Sequence, residues 1–87
     1  MAFVYILLSK KSGKFYIGST NNIARRYREH IQGQVYSTKR LLPVNLVFKQ
    51  EYEDITQARK IEARLKKLKR HDYILDIVKD GKIRISE

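Results

Sequence analysis

Three side chains capable of chemistry lie close together in the segment from Tyr16 to His30. Tyr16 stands two residues before Gly18 at the end of an apolar, extended stretch, and Arg26 lies four residues before His30 in the basic stretch that follows. Residues four apart lie on the same side of a helix. If a strand ends at the glycine and a helix follows, a phenol, a guanidinium and an imidazole can converge at the junction. Such a set can hold an anionic group and orient or relay a proton.

Three extended segments are predicted to position these side chains. Residues 3–8 are β-branched and aromatic and too few for a helix, which predicts a strand buried on both faces. After a turn, residues 15–18 resume extended structure, so the two segments form a hairpin. We expect Tyr5 and Tyr16, on its two strands, to lie near each other. The alternation of residues 44–52 predicts a third strand.

A first helix is expected to begin at Ile23, after the cap-type residues 20–22, and to end near Gly33. Arg26 and His30 would lie along one edge of its apolar arc. That arc is expected to face the sheet and consists of Ile23, Ala24, Tyr27 and Ile31.

The remaining helices lie in the second half of the chain. Residues 34–43 are expected to form a loop, and a second helix follows with Thr56 as its cap. Its buried stripe is predicted to be Ala58, Ile61, Leu65 and Leu68. After a break at residues 71–72, where we interpret His71 as structural, residues 73–79 predict a shorter helix that ends at Gly81. The order β-β-α-β-α-α predicts one α+β domain over residues 1–87, a small three-stranded antiparallel sheet flanked by helices.

The composition indicates the kind of partner. Nineteen Lys and Arg oppose nine Asp and Glu, which gives a net charge of +10 and favours a polyanion, either nucleic acid or an anionic membrane surface. A ribosome-associated or merely soluble basic protein would have the same charge. The absence of cysteine excludes disulfides, thiolate nucleophiles and the usual structural zinc sites. The longest apolar run, residues 2–8, is far short of the ~20 residues that span a bilayer, and we expect a cytoplasmic protein.

Together these residues resemble the GIY-YIG nuclease superfamily. The pattern consists of Val4-Tyr5, a gap of ten residues, Tyr16-Ile17-Gly18, then Arg26 and His30, and a downstream helical glutamate, Glu62. It covers nearly the whole chain and is most similar to the small single-domain bacterial members. The first triplet reads Phe3-Val4-Tyr5: its glycine is absent and its isoleucine is valine, but the tyrosine is kept. No segment resembles the DNA-binding or targeting domains of larger members, which bears on substrate specificity.

The resemblance implies a site for metal-dependent phosphodiester hydrolysis. Glu62 would bind a divalent cation, most simply Mg²⁺, with Mn²⁺ as the alternative; without the family, a surface pair with Lys66 is the better interpretation. Arg26 would hold the scissile phosphate. Tyr5 or Tyr16 would position the water or take its proton, if nearby cations lower the phenol pKa.

For three of these residues, the two tyrosines and the histidine, a structural role is the common alternative. The two tyrosines could simply pack across the hairpin. His30 would orient a tyrosine or relay a proton, whereas a lone histidine on a helix edge is more often structural.

The leading hypothesis is a metal-dependent endonuclease that cuts DNA according to its structure, of the DNA repair or recombination type. DNA is favoured over RNA, no membrane partner is expected, and a protein partner could supply specificity. The residues expected to follow the nucleic-acid backbone are Thr20, Asn21, Lys39, Arg40, Lys66, Lys67, Lys69 and Arg70, although a solvated helix face explains any single lysine as well. The alternatives are a non-catalytic nucleic-acid-binding module and a basic protein that contacts an acidic partner or the ribosome.

Overall fold

A three-stranded antiparallel sheet forms the centre of the molecule. The computed structural model describes residues 1–68 and 70–84. Strand β1 (Ala2–Ser9) pairs with both β2 (Phe15–Thr20) and β3 (Val44–Tyr52), so the spatial order is β2-β1-β3. The central position of β1 explains why it is apolar on both faces, as the sequence predicted, since helices or loops cover the sheet on each side.

Four helices complete the described ranges. They are α1 (Ile23–Ile31), α2 (Tyr36–Lys39), α3 (Ile55–Leu68) and α4 (His71–Asp80). The α+β class and the order β-β-α-β-α-α are confirmed, with one addition: α2 is a single helical turn inside the segment that was expected to be a loop.

The helix ends show which caps were predicted correctly. Asn22 caps α1, because its side chain accepts a hydrogen bond from the backbone N–H of Arg25. For α3 the predicted cap, Thr56, is wrong. Asp54 occupies that position and accepts the N–H of Gln57 at 2.8 Å, so the helix begins at Ile55.

The break predicted at residues 71–72 is also wrong in position. Arg70 is the N-cap of α4, and its carbonyl accepts the N–H of Ile74 at 3.2 Å. His71 and Asp72 therefore form the first turn of the helix. Its predicted end at Gly81 is confirmed, since this glycine has a left-handed φ of 76°.

Two apolar clusters lie on opposite faces of the sheet, because successive side chains of a strand point to opposite sides. The larger cluster joins the strands to α3 and α4 and includes Val4, Ile6, Ile17, Phe48, Ile61, Leu65, Ile74 and Ile77. The smaller one lies under α1 and the segment before β3, and includes Tyr5, Leu7, Val44, Tyr16, Ile23 and Tyr27. Every helix in the described ranges is too short or too polar to span a lipid bilayer.

The face that α1 presents to the sheet differs from the predicted arc. Ala24 is exposed and Ile31 is 47% exposed, whereas His30 is completely buried. The buried face is rotated because His30 finds hydrogen-bond partners for both ring nitrogens, so a polar side chain can replace an apolar one there. Leu68 in the predicted α3 stripe is likewise 42% exposed, since it is the last residue of that helix.

Candidate active site

The chemistry-bearing side chains meet at the outer edge of the sheet. Since β2 is an edge strand, α1 on one face and α3 on the other face approach each other across it. A groove of about 490 Å³ lies there, and its lining residues are Tyr5, Tyr16, Gly18, Ser19, Arg26, Arg59, Glu62, Ala63 and Lys66. The structure thus brings four of the five proposed catalytic and metal-binding side chains into one groove. His30, the fifth, lies in the interior behind Tyr5.

Gly18 is required by the position of Tyr5. The two residues pair across β1 and β2, and the tyrosine ring packs directly on the glycine. A Cβ added at Gly18 would lie 2.5 Å from Cζ of Tyr5, which is far inside van der Waals contact. Glycine at this point of the motif therefore allows the phenol to lie over β2. Phe3, which replaces the family's first glycine, is outside the groove.

A buried chain of hydrogen bonds extends from the groove into the protein. The Tyr5 hydroxyl lies 2.8 Å from Nε2 of His30, and Nδ1 of His30 lies 2.7 Å from Oγ1 of Thr38 on α2. The three residues are at most 1% exposed. The His30 ring also contacts the Tyr16 ring edge to face, with 5.2 Å between centroids. The His30 imidazole thus contacts both phenols, Tyr5 by a hydrogen bond and Tyr16 by ring packing.

The direction of this chain can be assigned from its far end. The Thr38 hydroxyl lies 3.4 Å from the carbonyl oxygen of Val35, which can only accept. With the hydroxyl proton assigned to that carbonyl, His30 Nδ1–H donates to Thr38, and Nε2 accepts the Tyr5 O–H. Burial, together with the positive charge of Arg26, lowers the pKa of His30 from 6.5 to about 4. The imidazole is therefore neutral at physiological pH, as this assignment requires.

Tyr5 does not meet the condition set for a role as base. Nearby cations would have to lower its pKa, but burial of the phenol raises the pKa from 10.0 to about 12, and the hydrogen bond with Arg26 only partly opposes this. Desolvation of the phenolate outweighs the attraction of one guanidinium. Tyr5 is therefore a protonated phenol at neutral pH and donates a hydrogen bond to His30.

Arg26 differs from its neighbour Arg25 in its contacts. A hydrogen bond to Tyr5 raises the pKa of Arg26, and Nη1 of Arg26 contacts Glu29 Oε1 at 3.1 Å. Arg25 lies 4.0 Å from Glu29 and its side chain is 60% exposed, against 36% for Arg26. The Arg26 guanidinium is thus held from two sides and still reaches the groove.

Glu62 faces the groove from α3. One carboxylate oxygen accepts a hydrogen bond from the Ser19 hydroxyl, and the other lies 2.6 Å from Nζ of Lys66. The two interpretations of Glu62, a surface ion pair and a residue of the site, therefore both describe its position.

The donor set fits Mg²⁺ with a largely non-protein coordination sphere. Glu62 supplies one carboxylate on an open groove, and Mg²⁺ typically takes one or two carboxylates together with waters and phosphate oxygens. Within the described ranges no three His, Asp or Glu residues are grouped as a metal cluster. The groove therefore does not fit a metal ion that is coordinated by protein atoms alone.

Sequence reasoning missed three residues of this region, namely Ser19, Thr38 and Arg59. Arg59 had a detectable signal, since it lies three residues before Glu62 on the same side of α3. Ser19 is 43 residues from its partner Glu62, and Thr38 lies in a segment predicted to be loop. No local pattern indicates either contact.

The residues proposed to bind nucleic acid lie in different environments. Thr20 is buried, and its hydroxyl accepts the N–H of Asn22 at 3.1 Å, so it holds the turn before α1. Lys66 pairs with Glu62, and Arg70 pairs with Asp72 at 2.9 Å. Asn21, Lys39, Arg40 and Lys67 are exposed, as are the paired residues Lys66 and Arg70. Lys69 lies outside the described residues.

Comparison with known proteins identifies the family. The model of the GIY-YIG catalytic domain matches residues 1–73, and the chain belongs to this family. Within it, the chain is similar to UPF0213 proteins: 34% identical over 68 residues to one from Xanthomonas axonopodis pv. citri, and 36% identical over 70 residues to one from Streptococcus pneumoniae serotype 4. These matches cover 77% and 79% of the chain, and 66% and 70% of the relatives. The chain thus spans about two thirds of their length.

A solved structure gives the same result for the fold. The solution NMR structure of the UPF0213 protein from Bacillus halodurans is 30% identical in sequence, with a TM-score of 0.57. The match covers 93% of this chain and 87% of that one. The resemblance inferred from the tyrosine, arginine, histidine and glutamate pattern is therefore confirmed as family membership.

Proposed function

We propose that the protein is a metal-dependent endonuclease that hydrolyses phosphodiester bonds in DNA. The observation that carries the proposal is the convergence of Tyr5, Tyr16, Arg26 and Glu62 in one groove at the sheet edge, in a chain of the GIY-YIG family. Phosphodiester hydrolysis requires an oriented water and positive charge at the phosphoryl oxygens. The groove offers groups for both tasks.

Glu62 is the residue that would hold a divalent cation, Mg²⁺ or alternatively Mn²⁺. When bound, such an ion supplies positive charge that stabilises the charge developing on the phosphoryl oxygens. Lys66 would then leave the carboxylate, whose nearest cation it now is, and turn to the phosphate backbone. Ser19 holds the carboxylate orientation through its hydroxyl.

The remaining roles follow from hydrogen-bonding capacity. Arg26 would bind the scissile phosphate, because its planar guanidinium matches two phosphate oxygens. Tyr5 donates a hydrogen bond to His30 and accepts one from Arg26, so it orients the guanidinium. Within the described ranges the Tyr16 hydroxyl has a single, long hydrogen-bond contact, 3.5 Å from Ser37, so Tyr16 is the phenol available to orient the attacking water. His30 acts by positioning both phenols from the interior.

The proposed substrate is DNA recognised by its structure. The described ranges form one small domain with little surface for a base-specific code. The excess of basic residues favours binding through phosphates, which is independent of sequence. A role in DNA repair or recombination, a cytoplasmic location and a partner that supplies specificity remain predictions.

The test is Glu62→Gln, assayed on branched, flapped and single-stranded DNA with Mg²⁺ or Mn²⁺. We expect cleavage to fall at least about a hundredfold while DNA binding persists and the free energy of unfolding changes by less than about 1 kcal/mol. Glu53→Gln is the matched control, because Glu53 is exposed and lies outside the groove. If the wild-type protein binds DNA but cleaves none of these substrates with either metal, the proposal is wrong.

A non-catalytic nucleic-acid-binding module is the second candidate. The observation in its favour is the 2.6 Å contact between Lys66 and Glu62, because this intramolecular ion pair neutralises the carboxylate without a metal. For a binding module, Glu62→Gln would leave every measured property unchanged or strengthen DNA binding, since it removes a negative charge from a basic groove.

A further inference from the structure

A second cavity adjoins the groove on the α3 side of the sheet. Its volume is about 270 Å³, and Lys66 lines both cavities. Its apolar wall consists of Phe15, Ile17, Leu65 and Ile74. We call this cavity the aromatic pocket, because the rings of Phe15 and His71 also line it and stack on each other, with centroids 4.8 Å apart and planes 30° apart.

The aromatic pair is held in place before any ligand arrives. His71 is exposed, and its Nε2 lies 3.2 Å from the carbonyl oxygen of Gly13 in the β1–β2 turn. Phe15 is half-buried and packs against the larger apolar cluster. The structural role expected for His71 is therefore present, and its ring also walls a cavity.

Cationic side chains border the aromatic pocket. Lys14, Lys66 and Arg70 line it, with Arg70 fixed by its pair with Asp72. An aromatic wall beside a positively charged rim is the combination that binds single-stranded nucleic acid, since the base stacks on the ring and the phosphate meets the cations. The groove itself offers charges but a less apolar surface, so the two cavities have different ligand chemistry.

We propose that the aromatic pocket binds the base of an unpaired nucleotide next to the scissile phosphate. The assignment of the scissile phosphate to the groove rests on the proposed function, whereas the pocket's chemistry does not. Glu62 and Lys66 are one helical turn apart on α3, about 6 Å along its axis, so a neighbouring nucleotide can reach the pocket. A base within a duplex is stacked and paired, and it must leave the stack to enter a walled pocket. The protein would then prefer DNA with unpaired nucleotides beside the cut.

The test measures binding without catalysis. Fluorescence anisotropy with a chelator present gives the affinities of wild type and Phe15→Leu for a plain duplex and for the same duplex with a three-nucleotide flap. Leucine keeps the apolar packing but removes the stacking surface. We expect the flapped DNA to bind wild type more tightly than the duplex, and Phe15→Leu to weaken flap binding at least about fivefold with duplex binding unchanged within about twofold. A 2-aminopurine in the flap should also lose its quenching in the variant.

Two further variants keep the result interpretable. Phe3→Leu is the matched control, because Phe3 also lies beside a lysine, 5.9 Å from Nζ of Lys49, but lines neither cavity. It should change neither affinity. His71→Ala removes the other ring and should also weaken flap binding. It replaces Phe15→Leu in the test if that variant does not fold. Equal affinity of wild type for flap and duplex, or equal losses for both, would overturn the pocket assignment.

The two proposals can fail separately. If Phe15→Leu cleaves and binds flapped DNA as the wild type does, the pocket assignment is wrong and the nuclease proposal stands. A protein that cleaves nothing but loses flap binding in Phe15→Leu removes the nuclease and leaves the pocket.

Discussion

Behind the side of the groove formed by β1 and α1 lies a buried, uncharged chain of hydrogen bonds, whereas the side formed by α3 carries a partly exposed ion pair. On the first side Tyr5, His30 and Thr38 are joined by short hydrogen bonds and excluded from water. On the second side Glu62 and Lys66 pair across one helical turn, with their side chains 18% and 51% exposed. The same groove therefore has one wall whose geometry is fixed by packing and one wall whose charges can exchange partners.

This difference separates stability from ligand binding. Buried polar groups are costly when they lose a partner, because no water replaces it. Exposed ion pairs contribute about 0–1 kcal/mol to stability. Changes on the α1 side should therefore lower the free energy of unfolding, and changes in groove charge should mainly alter binding and cleavage.

The pH dependence of stability gives the largest expected effect. The pKa of His30 is about 4 in the folded protein and near 6.5 when unfolded, so the unfolded chain binds the proton more readily between these values. The contribution of the neutral His30 to the free energy of unfolding is complete above pH 6.5. It is lost as the pH falls to about 4, which lowers the free energy of unfolding by up to about 3 kcal/mol. Urea unfolding at several pH values measures this.

Carboxylates also titrate in this window, so the wild type alone does not isolate His30. His30→Gln, which cannot titrate, is the comparison, and its stability should fall less steeply between pH 6.5 and 4. Parallel curves for the two proteins would show that the neutral, buried imidazole is not the source of the acid sensitivity.

The second largest expected effect is the loss of cleavage in Arg26→Ala. Loss of the proposed phosphate-binding guanidinium should lower the cleavage rate about a hundredfold, equivalent to about 2.7 kcal/mol. Arg25→Ala is the matched control, since both residues contact Glu29 but only Arg26 lines the groove. Rates that fall equally in both variants would indicate a general loss of positive charge and no specific role for Arg26.

Thr38→Val tests the far end of the buried chain. Valine has a similar shape but cannot accept the His30 Nδ1–H, so a buried donor is left without a partner at a cost of about 1–3 kcal/mol. Thermal unfolding measures the loss, and Thr38→Ser, which keeps the hydroxyl, should recover most of the hydrogen-bond contribution.

Thr38 also has an expected effect on activity. If it positions Tyr5 through His30, Thr38→Val should lower kcat under conditions where the variant is fully folded. Restored stability in Thr38→Ser without restored kcat would contradict that positioning role.

Much of the fold was predictable because its signals are local. The β-branched run of β1, the alternation of β3 and the cap residue Asn22 each indicate their element without reference to the rest of the chain. The burial of His30 was not predictable in this way, because its partners lie 25 residues before it and 8 residues after it. A helix of nine residues also carries too few apolar positions to fix which face is buried.

The candidate site shows the same division. The pattern of tyrosines, arginine and glutamate implied a common site through the family resemblance, and four of the side chains share a groove, although their roles remain predictions. Whether the cations near Tyr5 lower its pKa could not be decided from the sequence, because nearby charges can be counted there but the burial that outweighs them cannot.

The smallest expected effect compares Lys66 with its neighbour Lys67 on the exposed side. Lys66 lines the groove, whereas Lys67 is exposed outside it, so of these two lysines Lys66 alone is placed to meet a phosphate bound in the groove. Each phosphate contact contributes about 0.9 to the slope of log K against log salt on duplex DNA. Lys66→Ala should therefore reduce the slope by about one unit, and Lys67→Ala should leave it unchanged. Anisotropy titrations at several salt concentrations measure both slopes. Equal slopes for the two variants would mean that binding of the DNA backbone is spread over the whole basic face of α3. Lys66 would then have no specific role in the groove.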